Sequence, residues 1–173
     1  RRLSLLSQVG IVPNSVVAPN VDETPLAGEQ PRQLATRLAA AKGAHVAAIY
    51  RDAVVLAADT VVACGHRILD KVEKSVDAEA HLRLLSGRRH RVYGGVAVIN
   101  PGELVRSRLV ITQVSFKRLH KRDIDDYLET GEWQGKAGGY AIQGLAGGFV
   151  KRINGSYSNV VGLPLYETLA LLR

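Results

Sequence analysis

The run over residues 53–64, Ala-Val-Val-Leu-Ala-Ala-Asp-Thr-Val-Val-Ala-Cys, restricts the fold of this chain more than any other feature. It is apolar and rich in Val and Ala, which predicts a buried strand. It is too short, and too interrupted by Asp59, to cross a bilayer. A carboxylate within such a run is costly to bury unless it is paired, liganded or facing a cleft. Two readings of Asp59 follow. It caps a neighbouring turn at the strand end, or it is a metal ligand or general base at a sheet edge, where α/β folds commonly bind ligands.

On either side, helix and strand patterns alternate. Leu3, Leu5, Leu6 and Val9 recur near helical spacing over residues 2–9, and Gly10 stops the run. Residues 16–18 form a short strand candidate. Residues 19–31, with three prolines and several acids, read as a loop. Pro31 suits a first helical turn, and Leu34, Leu38, Ala41 and Val46 continue a helix from it. Asp77 can cap a helix that runs through Leu85 and stops at Gly87. Residues 91–99 and 104–116 predict two strands joined by the Asn100-Pro101-Gly102 turn. A short helix follows over 121–129, then glycine-dense loops over 131–148, a strand over 149–153 and a last helix opened by Pro164. This alternation, with one antiparallel pair, predicts an α/β fold with a mixed sheet.

Composition narrows the class. The 46% hydrophobic and 23% charged content exclude an intrinsically disordered chain and a collagen-like repeat. A chain of 173 residues buries roughly 70% of its unfolded surface and needs no covalent staples. Cys64 is the sole cysteine, so no intrachain disulfide forms, in keeping with a reducing compartment. The lack of any Met predicts natural sequence ahead of Arg1. The net charge of +7 suits a polyanion, whether nucleic acid, anionic membrane or nucleotide, and equally describes a basic solvated surface. Aromatics at only 5% argue against a base-stacking single-strand binder.

Four clusters carry candidate chemistry beyond the bland readings of a solvated loop or a solvated cation. Asp59-Thr60 is the first. Asp22-Glu23, in the proline-bounded loop, is the second: Mg²⁺ and Mn²⁺ take hard oxygen ligands, often one or two carboxylates plus substrate phosphates. The third is positive charge. Arg1 and Arg2 precede a helix, Lys42 lies on a helix otherwise lined with Ala, and Lys71 follows the strand and turn after Asp59. Arg88-Arg89-His90-Arg91 resembles a phosphate or nucleic-acid patch, or a solvated turn between a helix stop and a strand. The fourth spans residues 135–144, Gly-Lys-Ala-Gly-Gly-Tyr-Ala-Ile-Gln-Gly. Its glycines permit close backbone approach to a ligand, and Gln143 can both donate and accept at a base edge. It is neither a P-loop nor a dinucleotide fingerprint, and on its own reads as a flexible loop. The histidines lack zinc spacing, no G-x-S-x-G elbow occurs, and Cys64 in its apolar strand reads as inert.

Taken together, the motifs resemble the Maf family. Arg1-Arg2 followed by Leu5-Leu6 and Gly10 is similar to the end of that family's Ser-x-Ser-Pro-Arg-Arg-x-x-Leu-Leu opening. Asp22-Glu23-Thr24-Pro25, Arg37-Leu38-Ala39 with Lys42, Ala58-Asp59-Thr60-Val61-Val62, Ile68-Leu69-Asp70-Lys71 and Leu85-Ser86-Gly87 follow in the family's order. So do Gly135-Lys136-Ala137-Gly138, Tyr140-Ala141-Ile142-Gln143-Gly144 and Gly155-Ser156-Tyr157-Ser158-Asn159-Val160-Val161-Gly162-Leu163-Pro164.

The resemblance implies one Maf-like domain over residues 1–173: an α/β fold with an elongated mixed sheet, flanking helices and two lobes around a cleft, like that of inosine triphosphate pyrophosphatase. It implies a cytoplasmic, often dimeric nucleoside triphosphate pyrophosphatase that uses a divalent metal, Mg²⁺ or Mn²⁺, and cuts between the α and β phosphates. Its role would be removal of unwanted or modified nucleotides, with a tie to septum formation and cell-division arrest. Carried over by motif, Asp59 is the proton acceptor, Arg1, Thr60 and Gln143 set substrate choice, Arg2, Lys42 and Lys71 hold phosphate, and Glu23 with Asp59 holds the metal. The Ala-Asp-Thr and Ala-Ile-Gln-Gly versions resemble the branch acting on dTTP and UTP. Neither a membrane nor a nucleic acid is expected as a partner. The sequence departs from the family in three places: it lacks the first strand with the Ser-x-Ser-Pro loop, it has Asp70-Lys71-Val72 for Gly-Lys-Pro, and it has Tyr93-Gly94-Gly95 for a Thr-Gly pair. Two rivals are a nucleic-acid-binding division regulator without hydrolase activity, whose binding would fall steeply with salt, and a purine house-cleaning pyrophosphatase that prefers dITP.

Overall fold

The computed structural model describes residues 1–173. The chain opens with helix α1 (Arg2–Gln8), which buries Leu5 and Leu6. Residues 11–30 then cross the surface without regular structure. The strand expected over 16–18 does not form: the segment belongs to neither sheet, and Val16 stays exposed. Helix α2 (Pro31–Ile49) follows, with Pro31 in its first turn as expected and a capping box in which the Gln30 N–H donates to Gln33 Oε1 at 2.9 Å.

The apolar run becomes β1 (Val55–Cys64), which turns into β2 (Arg67–Leu69) and β3 (Lys71–Val72). Helix α3 (Ser75–Leu85) has Lys74 at its N-cap, so Asp77 stands in its first turn rather than capping it. Then come β4 (Arg89–Ile99), β5 (Arg106–Phe116), α4 (Lys121–Glu129) and β6 (Lys136–Ala137). A 3₁₀ turn (Leu145–Phe149), β7 (Val150–Asn154), α5 (Tyr157–Val161) and α6 (Leu165–Leu172) complete the chain.

Five strands form one sheet in the order β2-β1-β4-β5-β7, and β3 pairs with β6 in a small separate ladder. Every pairing is antiparallel, so the sheet is not mixed as the alternating pattern suggested. The reason lies in the connections: β1–β2 and β4–β5 are hairpins, and the longer excursions through α3 and α4 return with reversed direction. Helix α2 covers one face of the sheet, while α5 and α6 pack against β4 and β5. The β3–β6 ladder, α3 and α4 pack beside the sheet and join it through one continuous apolar cluster that runs from Val62 and Val92 to Leu82, Tyr127 and Trp133.

Central strand β4 is buried on both faces, and two glycines make that possible. A Cβ on Gly95 would stand 2.1 Å from the Ala35 carbonyl oxygen of α2, and one on Gly94 would stand 1.8 Å from Asn159 Oδ1. The Asn159 amide thereby reaches the sheet. Its Nδ2 donates to the carbonyls of Val92 and Val110, both at 3.2 Å, and to Thr112 Oγ1 at 3.0 Å, tying α5 to β4 and β5. In register, Gly95 faces Asp59 and Gly94 faces Thr60. Close packing at Gly94 and Gly95 thus backs the two residues singled out in sequence. No helix is long and apolar enough to cross a membrane.

Candidate active site

Strand alternation sends Asp59 and Thr60 to opposite faces of β1. Val61 and Ala63, on the Asp59 side, pack with Leu34 and Leu38 of α2, whereas Val62, on the Thr60 side, belongs to the main core.

On the α2 side the charges form a chain. Lys42 Nζ lies 2.5 Å from Asp59 Oδ1 and 2.6 Å from Glu23 Oε1, and Lys71 Nζ lies 2.6 Å from Glu23 Oε2. Asp59 is 4% exposed, so the turn-capping reading is set aside: it is a buried mid-strand carboxylate paired with an ammonium. Burial alone would raise the Glu23 pKa, but Lys42 and Lys71 outweigh it and hold the carboxyl below its usual range. The loop that presents Glu23 is fastened to α2. Arg37 clasps Glu29 through Nε–Oε1 at 2.7 Å and Nη2–Oε2 at 2.8 Å, and Nη2 also donates to the Thr24 carbonyl at 3.0 Å. The Leu26 N–H donates to Glu29 Oε2, and Thr24 N–H to Asp22 Oδ1. Arg37, followed by that backbone bond, holds Glu29 down at about 2.

The Thr60 side is a pocket. Arg1, Thr60, Lys136 and Gln143 supply its polar groups, and Val62, Tyr140, Ile142 and Val160 are among its walls. No carboxylate lines it. Its loop is held from behind: the buried Tyr127 hydroxyl accepts the Ala141 N–H at 2.9 Å, and Tyr140 OH and His90 Nε2 lie 2.7 Å apart. Burial pushes Tyr127 up to about 12 and His90 down to about 4, so both are neutral near pH 7. Glu132 Oε2 accepts the Leu145 N–H at 2.9 Å, just past Gln143 and Gly144.

Arg2 lies between the two sides, next to Arg1 of the pocket. Arg2 Nε donates to the Gly162 carbonyl at 2.9 Å, and its Nη2 reaches Thr60 Oγ1 at 3.4 Å. Burial lowers the pKa of both guanidiniums; Arg1 lowers Arg2 further, while Asp59 and Glu23 act in the opposite direction. Arg2 is half-buried beside an exposed Arg1, and two adjacent guanidiniums attract an anion.

All eight residues singled out in sequence therefore gather around one stretch of β1: Asp59, Glu23, Lys42 and Lys71 on one side, Thr60, Gln143 and Arg1 on the other, and Arg2 between them. The Arg88–Arg91 cluster divides instead. Arg89 already begins β4, so it is not a turn, and His90 turns inward onto Tyr140 while its arginine neighbours stay exposed. Cys64 is half-buried, with Sγ 3.9 Å from the Arg89 carbonyl. Sequence reasoning missed Lys136, Glu132 and Asn159. The first and last sat in quoted glycine-rich segments, where the signal was that so many glycines leave room for something to approach.

Comparison with known proteins places the whole chain in one family. Residues 1–173 match the family described as Maf-like protein. The dTTP/UTP pyrophosphatase of Mesorhizobium japonicum is 55% identical over 99% of this chain and 86% of its own length. A dTTP/UTP pyrophosphatase of Rhodopseudomonas palustris is 56% identical over the same shares. That of Bradyrhizobium diazoefficiens is 56% identical over 99% of this chain and 85% of its own.

Proposed function

The chain belongs to the Maf-like protein family, and we propose that it is a nucleoside triphosphate pyrophosphatase that hydrolyses dTTP and UTP to the nucleoside monophosphate and pyrophosphate. The observation that carries this reading is the junction at Asp59–Thr60, where a chain of acids and ammonium groups meets an apolar-walled pocket rich in hydrogen-bond donors.

A triphosphate repels an incoming water or hydroxide. Arg2, Lys42 and Lys71 offset that charge and stabilise the leaving pyrophosphate. Asp59 is fixed through Oδ1 by Lys42, which leaves Oδ2 to orient the attacking water and take its proton. Arg1, Thr60 and Gln143 contact the base, and Val62 and Val160 exclude water from it.

Glu23 and Asp59 are the residues that would hold a divalent metal. The donor set fits Mg²⁺ or Mn²⁺: two hard carboxylates already share one positive centre, the Lys42 ammonium, and no nitrogen or sulfur ligand competes. No group of three or more His, Cys, Asp or Glu side chains stands together, so phosphate oxygens and water would complete the shell. When bound, the metal would further neutralise charge developing on the phosphates.

The same reading makes residues 1–173 one Maf-like domain of a cytoplasmic, homodimeric enzyme that clears unwanted nucleotides. It is tested by following pyrophosphate release across a panel of nucleoside triphosphates with Mg²⁺ or Mn²⁺. Hydrolysis of dTTP and UTP ahead of dCTP and dITP is expected; a protein inert toward all of them would overturn it.

A further inference from the structure

We propose that Lys136 is a specificity-determining residue of the base pocket, whose ammonium donates to the carbonyl edge of uracil or thymine and so disfavours cytosine. This rests on the pyrophosphatase reading above and goes beyond the residues assigned there.

Lys136 stands on β6, paired with Val72 of β3, and lines the same pocket as Arg1, Thr60 and Gln143. Unlike Lys42 and Lys71, it makes no ion pair with a carboxylate. Its ammonium makes one bond in the structure, Nζ to the Gln134 carbonyl at 3.1 Å. An ammonium carries three protons, so two remain for a ligand. Burial, followed by the neighbouring Arg1, lowers its pKa, while Glu132 pulls the other way. The pocket thus holds a partly desolvated cation with unspent donors and no acid to take them.

The chemistry of the four polar groups decides what fits. Thr60 and Gln143 can each donate or accept, so alone they tolerate either a carbonyl or an amino group on the base. Lys136 and Arg1 can only donate. Thymine and uracil present an O4 acceptor where cytosine presents an N4 amino donor. An ammonium facing that position makes a charge-assisted bond with the first and sets donor against donor with the second. Apolar walls at Val62, Ile142 and Val160 remove the water that would otherwise satisfy the mismatch. The triphosphate is served from the other side of β1, which leaves Lys136 free for the base.

The test is Lys136→Met, which keeps the apolar stem and removes the donors, with Lys136→Arg as the conservative partner. Steady-state hydrolysis of dTTP, UTP, dCTP and CTP is paired with calorimetric binding of dTMP and dCMP, which does not depend on turnover. In Lys136→Met, kcat/KM for dTTP and UTP should fall roughly 10- to 100-fold through KM while that for the cytosine nucleotides holds or rises. Binding of dTMP should weaken without loss of dCMP binding, and Lys136→Arg should recover part of the preference. An unchanged dTTP-to-dCTP ratio, or an equal loss for both with weaker pyrophosphate inhibition, would overturn the proposal and make Lys136 a neutral wall or a phosphate ligand. If the wild type hydrolyses neither dTTP nor UTP, the pyrophosphatase reading fails separately, and the monophosphate binding still decides whether Lys136 discriminates.

Discussion

Asp59 and Thr60 are adjacent in sequence yet serve two unlike environments. On the Asp59 side, cations and carboxylates are paired at hydrogen-bond distance, and one member, Glu23, comes from an exposed loop. On the Thr60 side, cations stand without acids among apolar walls, in an open pocket backed by buried aromatic groups. The first arrangement is suited to moving protons and spreading phosphate charge, the second to measuring the shape and donor pattern of a flat ring. A period of two along one strand is what lets consecutive residues do both. If that division holds, catalysis and base recognition are separable by mutation.

The largest effect is expected from Asp59→Asn, which keeps the size and the bond to Lys42 but removes the base. Pyrophosphate release from dTTP should drop by roughly 10²–10⁴-fold, while calorimetric binding of dTMP and the thermal midpoint stay near wild type. A parallel loss of dTMP binding would break the division between the two sides.

Lys42→Ala should damage both activity and fold. Lys42 is the shared partner of Glu23 and of the nearly buried Asp59, and removing one member of a buried pair strands the other charge. A loss of about 3 kcal/mol in urea unfolding at pH 7 is expected, and Asp59→Asn combined with Lys42→Ala should recover part of it. Gly95→Ala acts on the frame that both sides share. With the Ala35 carbonyl 2.1 Å from the new methyl, α2 must shift, at about 1–3 kcal/mol, and both dTTP turnover and dTMP binding should suffer together. A stability unchanged from wild type would show that α2 moves freely against β4, contrary to the packing seen.

The parts legible in sequence were those governed by local periodicity. The apolar run became β1, Pro31 opened α2, and Asn100-Pro101-Gly102 separated β4 from β5, each within two residues of its expected bounds. Asp59 stood out because its cost in an apolar strand demands a partner, but sequence could not name Lys42, which lies on another element. Beyond the β4–β5 hairpin, strand pairing was not legible. Residues 16–18 had β character yet joined neither sheet, and the antiparallel order follows from connections that periodicity does not encode. The motif resemblance, rather than residue physics, gave Arg1, Thr60 and Gln143 their expected role in substrate choice. Lys136 escaped because a lysine between glycines looks solvated until the two-residue β3–β6 ladder places it against the pocket.

The smallest effect, and the finest probe of the comparison, concerns the fastening of the Glu23 loop. Glu29 is held at about 2 against an ordinary 4.5, chiefly by Arg37. Because the folded value is depressed, the stability this clasp adds is present in full above about pH 4.5 and drains away as pH falls toward 2. Arg37→Ala should therefore lower the thermal midpoint modestly at pH 7 and flatten its fall between pH 4.5 and 2. The two proteins should converge at the acid end, apart from the lost Arg37 bond to the Thr24 carbonyl, which does not titrate. Glu29→Gln should show the same flattened limb, since either change removes the titrating clasp. In activity, the freed loop should present Glu23 less well and reduce kcat/KM for dTTP several-fold without touching dTMP binding. A variant whose acid limb stays as steep as wild type would mean that other carboxylates govern the acid transition. A loss of dTMP binding would mean that the loop reaches the Thr60 side after all.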